Sequence, residues 1–349
     1  MKTFSMKISL FAFLSAIFLF TPIVSQNIDL SQEWVLSDGI PFATDLETTI
    51  EDEVAGLANI LGIVVIHNGK IVTEHYYNDS SVDDVYNIWS VSKSYASTLV
   101  GQAYDLGMID HPDSSLIDFL PDYEIDYVSQ ITLDNLLSMS SGYNDLYGYP
   151  AWYAQSTATL LGMSYEGGPG YFFYNNSACH LNSHVIYYGT NQTPHEFAST
   201  HLFPYLGIEN PQWNSGYLDI NDGSASLHLK LREMVKLGQL YLQDGYSGDE
   251  QILSSEWIER ATTYKVSTGW DQIPSYGYLW WLPNDESYLA FGFGGQYVLV
   301  VPHMDLVIGT HSTDWGPANI SQHQEILLSA IYNQVATLFD RPSVVINEF

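Results

Sequence analysis

Ser90 and Lys93 are the two residues of this chain whose types and spacing best suit nucleophilic chemistry. They lie three positions apart, where strand-like sequence changes to helix-like sequence. On a helix, residues i and i+3 share a face with Cβ atoms about 5–6 Å apart, so the Lys93 amine can take the proton of the Ser90 hydroxyl. A serine near a helix start also has a backbone N–H without a partner inside the helix, which suits it to stabilise an oxyanion. The pair alone is not specific, because Ser and Lys often share a solvated helix face.

The composition indicates a folded and strongly acidic protein. The 349 residues are 46% hydrophobic, and 40 Asp and Glu against 10 Lys and Arg leave a formal net charge of −30. This length and apolar content suffice for one large domain or two closely joined ones. The negative field argues against nucleic acid and anionic membrane surfaces as partners. Cys179 is the only cysteine, so an internal disulfide is excluded, and we expect a buried, unreactive thiol.

Residues 1–25 are typical of a removable export signal. A short start containing Lys2 and Lys7 precedes an apolar run from Ile8 to Phe20, and Ser25 is a small residue suited to cleavage. The run is shorter than the roughly 20 residues of a membrane span, and no cysteine follows it closely, so neither stable membrane insertion nor a lipoprotein anchor is expected. We therefore predict a secreted or periplasmic protein. The alternative is an uncleaved N-terminal anchor.

The order of predicted elements favours a sheet built from both ends of the chain. A hairpin is predicted between Leu61 and Tyr77, where Asn68-Gly69 suits a tight turn, and further strands are predicted within residues 288–311. Between them, apolar residues mostly recur at helical spacing, and one of the predicted helices covers Leu227–Leu242.

These elements predict one domain over residues 26–340. Its sheet part covers about 55–93 and 276–340, and its helical part covers about 94–275. Residues 341–349 are interpreted as a tail or as the stub of a further module.

Motifs around the Ser90 pair follow one another in a recognisable order. They are Tyr86-Asn87-Ile88-Trp89, Gly101, the segments 105–110 and 131–142, and a Tyr-x-Asn element formed by Tyr174 and Asn176. This succession resembles the serine β-lactamase-like superfamily, which includes class C β-lactamases, D,D-peptidases, esterases and 6-aminohexanoate-dimer hydrolases. The likeness runs from about residue 55 to 338. It implies an α+β fold of the β-lactamase/D,D-peptidase type, in which helices flank an antiparallel sheet and a helical region is inserted.

The resemblance implies roles for four residues. Ser90 would be the acylated nucleophile, and Lys93 its base or proton shuttle. Tyr174 would pass a proton to the leaving group and activate water, although a tyrosine here could also serve only as a packed aromatic ring. Asn176 would orient Lys93 and hold the substrate carbonyl; its alternative role is the N-cap of the following helix.

The third element of the family is where this chain departs from the pattern. β-Lactamases and D,D-peptidases carry Lys or His, then Ser or Thr, then Gly on a strand beside the nucleophile. Here the candidate segment is Gly292-Phe293-Gly294-Gly295-Gln296, which has no cation at the matching place. Glycines allow a substrate to approach closely, and a backbone N–H near Gln296 is a candidate oxyanion donor. The alternative is a simple bulge in a strand.

The resemblance implies neither a metal nor an organic cofactor. His180 and His184 have the i, i+4 spacing that zinc hydrolases use, but no Glu follows His180 in the needed place and no third ligand is evident. We therefore expect ordinary helix histidines.

Together, these features predict an exported serine hydrolase whose small-molecule substrate is an ester or small amide without an essential carboxylate. One alternative is a D,D-peptidase or class C-like β-lactamase that acts on cell-wall-type substrates. A second is a catalytically inactive member of the family that binds or scaffolds. The presence of Ser90, Lys93 and Tyr174 together argues against the inactive protein, because a binding module needs none of the three.

Overall fold

The computed structural model describes residues 27–120, 123, 125–144, 151–314 and 319–340. The predicted export signal at 1–25 and the predicted tail at 341–349 lie outside the described residues, and both stay predictions. Within the described ranges, no helix combines the length and the hydropathy needed to cross a bilayer.

The described part of the chain contains the following helices and strands. The helices are α1 Ala43–Glu53, α2 Ser92–Asp105, α3 Leu116–Phe119, α4 Leu133–Leu137, α5 Thr157–Leu161, α6 Asn176–Thr190, α7 Pro194–His201, α8 Leu231–Leu242, α9 Ser255–Thr262 and α10 Ile320–Ser329. The strands are β1 Ile60–His67, β2 Lys70–Tyr76, β3 Val85–Asn87, β4 Gln212–Trp213, β5 Leu227–Lys230, β6 Tyr246–Ser247, β7 Glu250–Gln251, β8 Val266–Ser267, β9 Ser275–Tyr276, β10 Trp281–Asn284, β11 Ser287–Gly292, β12 Gln296–Val301 and β13 Leu306–Ser312.

The main sheet has eight antiparallel strands in the order β2-β1-β13-β12-β11-β10-β9-β8. Strands from the two ends of the chain meet where β1 pairs with β13, from Ile60 opposite Ser312 to His67 opposite Leu306. The predicted α+β fold, with a sheet built from both chain ends, is therefore confirmed. The sheet also reaches back to Val266, inside the segment that the sequence predicted to be helical, because two very short edge strands, β8 and β9, leave little trace in the apolar pattern.

Helices cover both faces of this sheet. On one face α8 lies close against β12 and β13, because Gly238 and Gly309 have no side chain; a Cβ on Gly238 would lie 2.6 Å from a Val298 methyl. Tyr297 precedes Val298 on the same strand and therefore points to the opposite face. There its hydroxyl donates to the backbone oxygen of Gln324 in α10.

The central helix α2 lies between the sheet and the helical part. Every residue from Ser92 to Ala103 is buried, so α2 has no solvated face along most of its length. Several of the polar side chains that it buries find partners inside the protein: the hydroxyl of Ser94 donates to the backbone oxygen of Leu279, for example, at 2.8 Å. The first turn of α2 is consequently enclosed by protein.

The predicted helix over Leu227–Leu242 is wrong at its first four residues. Leu227–Lys230 forms β5, which pairs with β3 and leads directly into α8. Leu227 and Leu229 are buried while the residues between and after them are partly exposed, which is the two-residue period of a strand. Four residues with this period are too few to separate from the longer helical pattern that follows.

The β3–β5 pairing brings distant segments next to the start of α2. Ile88 donates its backbone N–H to the oxygen of Leu227, and Leu227 donates its own N–H to the hydroxyl of Ser92. The loop that precedes β5 is therefore fixed beside the turn that carries Ser90.

Candidate active site

A sharp turn between β3 and α2 presents Ser90. The turn is a short 3-10 segment, Trp89–Val91, and Trp89 has a φ of 48°, a left-handed conformation that is uncommon for a bulky residue. Its backbone N–H donates to the Asn87 side chain at 2.8 Å, which holds the turn closed. Ser90 is thereby placed, partly exposed, immediately before a buried helix.

The side-chain nitrogen of Lys93 has three oxygen partners. Lys93 is 2% exposed, and its Nζ lies 2.9 Å from Ser90 Oγ, 2.8 Å from Asn176 Oδ1 and 2.6 Å from the backbone oxygen of Ser224. The last two oxygens can only accept. A neutral amine has two N–H groups and one lone pair, so with both N–H groups on Asn176 and Ser224 the lone pair faces the Ser90 hydroxyl. The arrangement suits Lys93 to take the proton of Ser90.

Tyr174 contacts the same serine from another side. Its hydroxyl donates to Ser90 Oγ at 2.8 Å, and Lys93 Nζ lies 5.0 Å from the centre of its ring. The ring also stacks on Trp281, with centroids 5.8 Å apart and planes inclined by 19°. Tyr174 therefore packs as an aromatic residue and, in addition, places its phenol where a proton can pass to or from Ser90.

Asn176 is positioned by the residue before it. The Asn175 side chain caps α6 by accepting the backbone N–H of Ala178 at 3.0 Å. The alternative that Asn176 is the N-cap is wrong, because Asn175 fills that role. Asn176 is instead the first residue of the helix, and its amide oxygen is available to Lys93.

Two residues that support Lys93 were not predicted from the sequence. Ser224 accepts from Lys93 through its backbone oxygen, and its own N–H and hydroxyl donate to Asp222 Oδ1 at 3.0 and 2.7 Å. The same Oδ1 accepts the indole N–H of Trp152 at 2.9 Å. Asp222 thus fixes the loop that carries the third oxygen partner of Lys93.

The carboxyl group of Asp222 also interacts electrostatically with Lys93. Asp222 is 1% exposed, and burial raises the pKa of its carboxyl, while the hydrogen bonds from Ser224 and Trp152 and the charge of Lys93 act in the opposite direction.

A backbone carbonyl can come from any residue type, so Ser224 gave no sequence signal. Asp222 stands in an Asn-Asp-Gly-Ser run that reads only as a turn.

The candidate third element forms the turn between β11 and β12. Gly294 and Gly295 have φ values of 87° and 104°, which explains the glycine pair. The Gln296 side chain is buried and bonds to the backbone of Ser312 on β13, so it ties two strands together. The role of this segment as an oxyanion donor stays a prediction.

The strand end just before this turn lies next to the nucleophile. A Cβ on Gly292 would come within 2.4 Å of the backbone oxygen of Ile88, so glycine is needed for this contact. The Phe293 ring lies 5.5 Å from that of Trp89 and is 47% exposed. An apolar ring therefore stands beside the turn that carries Ser90.

Other titratable groups near the site are buried in the helical part. His180 accepts the N–H of Gly223, and His184 bonds to the Thr157 hydroxyl at 2.7 Å. Burial lowers the pKa of His180 to about 3, and no group of three candidate metal ligands occurs in the described ranges. Cys179 is buried, and burial raises the pKa of its thiol to about 12, in line with the expected unreactive thiol.

Known proteins share the sequence pattern of this chain. The Beta-lactamase family model matches residues 46–331. The chain belongs to the Beta-lactamase family. It is 25% identical over 333 residues to the 6-aminohexanoate-dimer hydrolase of Paenarthrobacter ureafaciens, a match that covers 85% of this chain and 81% of that protein. The chain is therefore a hydrolase of this family.

Solved structures show the same fold. A Bacillus anthracis protein assigned as a 6-aminohexanoate-dimer hydrolase superposes with a TM-score of 0.72 at 20% identity, covering 91% of each chain. The class C β-lactamase of Rhodobacter sphaeroides superposes with a TM-score of 0.62 at 17% identity, covering 83% of this chain and 98% of that one. These structures confirm the predicted fold, and the family match confirms the resemblance to the serine β-lactamase-like superfamily.

Replacing Tyr174 by Phe tests the proton path. The substitution keeps the stacking on Trp281 and removes only the hydroxyl that bonds to Ser90. We expect kcat for an activated ester to fall by about 10²–10⁴-fold, the usual range for a lost acid–base group, with little change in the thermal midpoint. Tyr171→Phe is the matched control, because Tyr171 is 79% exposed. Wild-type kcat in Tyr174→Phe would show that the ring only packs.

Replacing Asp222 tests the support of Lys93. Asp222→Ala should lower kcat by about 10–100-fold, because a displacement of about 1 Å in a catalytic group can cost that much. Asp222→Asn keeps an oxygen that can accept from Ser224 and Trp152, so its kcat should stay closer to the wild-type value than that of Asp222→Ala. Asp219→Asn, an exposed change on the same segment, is the control; wild-type kcat in Asp222→Ala would show that these hydrogen bonds do not support Lys93.

Proposed function

We propose that this protein is a serine hydrolase that forms an acyl-enzyme on Ser90 and cleaves esters or small amides that carry no essential carboxylate. The observation that carries the proposal is the convergence of Lys93 Nζ and the Tyr174 hydroxyl on one serine oxygen, at 2.9 and 2.8 Å. A nucleophile within hydrogen-bond reach of a base, with the base oriented by further groups, is the arrangement that nucleophilic catalysis requires. A protein that only binds its partner has no use for it.

The reaction follows from these contacts. The Ser90 oxygen attacks the substrate carbonyl while its proton moves to the amine of Lys93, which Asn176 and Ser224 hold in place. When the bond to the leaving group breaks, the Tyr174 phenol protonates that group and recovers a proton from Lys93. Water then attacks the acylated Ser90, its proton passes by the same groups to the serine oxygen, and the acid is released. No step requires another reactant.

The positions of the cations support a substrate without a carboxylate. Seven Lys and Arg residues belong to the described ranges, and only Lys93 among them bonds to Ser90. Four others form ion pairs: Lys230 with Asp83, Arg232 with Glu74, Arg260 with Glu256 and Lys265 with Asp134. Lys236 donates to a backbone oxygen, and Lys70 lies on β2 at the far edge of the sheet. A substrate carboxylate would therefore meet a strongly negative protein, and none of these seven cations other than Lys93 is seen at Ser90 to pair with it.

A D,D-peptidase or class C-like β-lactamase is the second candidate. The fold shared with a class C β-lactamase favours it. The exposed Phe293 ring beside Trp89 argues against it, because an apolar side chain there cannot pair with a substrate carboxylate as a cation would. A hydrogen bond between a cation and a carboxylate contributes about 1.5–3 kcal/mol, or roughly 10–200-fold in binding. The relative named for hydrolysis of a 6-aminohexanoate dimer shows that family members are named for substrates other than β-lactams.

A substrate panel at one pH and one salt concentration tests the proposed function. We expect kcat/KM for p-nitrophenyl acetate or butyrate to exceed clearly that for nitrocefin or a D-Ala-D-Ala peptide, because the esters carry no carboxylate and have a good leaving group. Ser90→Ala should abolish turnover of all of them. Efficient nitrocefin hydrolysis with weak ester cleavage would instead favour the β-lactamase.

A further inference from the structure

Four side chains share one face of α6, because they recur at i, i+3, i+4 and i+7 along the helix. They are Asn176, Cys179, His180 and Ser183. The first of them bonds to Lys93, whereas the other three are fully buried and lie against Gly223. The proposed mechanism does not use these three side chains, so their convergence on one glycine calls for another explanation.

His180 and Cys179 bind the backbone of Gly223 on either side of its Cα atom. The N–H of Gly223 donates to His180 Nδ1 at 3.3 Å, and its backbone oxygen lies 3.8 Å from the Cys179 sulfur, a weak donor. A ring nitrogen that accepts a hydrogen bond carries no proton, so the imidazole is neutral, in line with the burial that lowers the pKa of His180 to about 3. Both peptide groups that flank Gly223 are therefore held by α6.

Gly223 also occupies a gap that leaves no room for a side chain. A Cβ atom at this position would lie 2.2 Å from the Ser183 hydroxyl oxygen on α6 and 3.5 Å from the Ala96 Cβ on α2. Apart from that one oxygen, the nearest atom would be the Ser183 Cβ at 3.4 Å, an ordinary contact distance. Gly223 does not have a positive φ, so space and not backbone conformation requires glycine here.

This seat determines where an oxygen partner of Lys93 lies. Gly223 is followed by Ser224, whose backbone oxygen lies 2.6 Å from Lys93 Nζ. A planar peptide unit joins the two residues, so a displacement of Gly223 is carried over to the Ser224 carbonyl. Because α6 also carries Asn176, both oxygens that can only accept from Lys93 depend on this one helix.

We infer that His180 and Gly223 are positioning residues for Lys93: through them, α6 sets the place of the Ser224 carbonyl and with it the direction of the amine. The inference rests on the proposed function, because it uses the role of Lys93 as the base for Ser90. His180 and Gly223 act through Lys93 and take no part in the proton transfers themselves.

A pair of substitutions that compensate each other tests the seat of Gly223. Gly223→Ala should lower kcat for p-nitrophenyl acetate by about 10–100-fold, because a displacement of about 1 Å in a catalytic group can cost that much. Ser183→Ala should keep kcat near the wild-type value, since the Ser183 hydroxyl has no hydrogen-bond partner in the described ranges. The double variant should recover most of the lost kcat, because the clashing oxygen is gone. Wild-type kcat in Gly223→Ala, or no recovery in the double variant, would overturn the inference.

His184 is the matched control for His180. It is equally buried on the next turn of α6, but it bonds to the Thr157 hydroxyl and not to Gly223. His180→Leu should lower kcat by about 3–10-fold, the effect of one lost hydrogen bond, whereas His184→Leu should lower the thermal midpoint similarly and leave kcat unchanged. His180→Asn offers an acceptor oxygen near the place of Nδ1 and should recover part of the loss. Equal losses of kcat in the two leucine variants would show that His180 only packs.

Crystal structures of the Gly223 variants separate this inference from the proposed function, because they require no turnover. In Gly223→Ala the Ser224 oxygen should lie beyond hydrogen-bond reach of Lys93 Nζ, at more than about 3.5 Å, and in the double variant with Ser183→Ala it should return to its bond. That result supports the positioning role even if no ester is hydrolysed, in which case only the proposed function fails. A Ser224 oxygen that keeps its bond to Lys93 in Gly223→Ala overturns the inference, whatever the kinetics show.

Discussion

The three hydrogen bonds of Lys93 are the interaction on which the site depends. A nearly fully buried ammonium group is costly unless polar partners replace water, and here a serine hydroxyl, an amide and a backbone carbonyl do so. These partners are 3, 83 and 131 residues away from Lys93 along the chain. The lysine can therefore be buried only when the helical part and the sheet have closed around α2.

Each partner is delivered by a different structural device. The helical spacing supplies Ser90, the cap on α6 supplied by Asn175 leaves Asn176 directed at the lysine, and the anchored loop before β5 supplies the Ser224 carbonyl. The same loop receives support from Asp222, which would otherwise be an unexplained buried carboxylate in an acidic protein. The packing of the fold around α2 and the proposed chemistry therefore both depend on the side-chain nitrogen of Lys93.

The sequence predicted those parts of the site that are local or that a family pattern marks. Helix geometry made Ser90 and Lys93 candidates, and the resemblance supplied the roles expected of them and of Tyr174 and Asn176. The Ser224 carbonyl could not be predicted, because its contribution is backbone geometry that any residue type could supply. The stacking of Tyr174 on Trp281 was missed for a related reason: two aromatic residues far apart in the sequence become neighbours only in the folded chain.

The fold was predicted at the level of its class and of the longer elements. Strands of four residues or fewer were not predicted, because so few residues do not show a clear two-residue period. In Leu227–Lys230 the pattern of the helix that follows also dominates. The backbone N–H near Gln296 was proposed as an oxyanion donor from its position next to a glycine pair, and that role stays a prediction. The bond of the Gln296 side chain to the Ser312 backbone could not be predicted, because it depends on the long-range strand order.

Covalent labelling with a fluorophosphonate, read by intact-mass spectrometry and peptide mapping, tests the central claim most directly. It requires neither the natural substrate nor the second half of the reaction. The Lys93 network predicts one adduct, located on Ser90, in the wild type, and labelling at least about 10²-fold slower in Lys93→Met, which keeps the side-chain bulk but cannot take a proton. An adduct on another serine, or wild-type labelling of Lys93→Met, would contradict it.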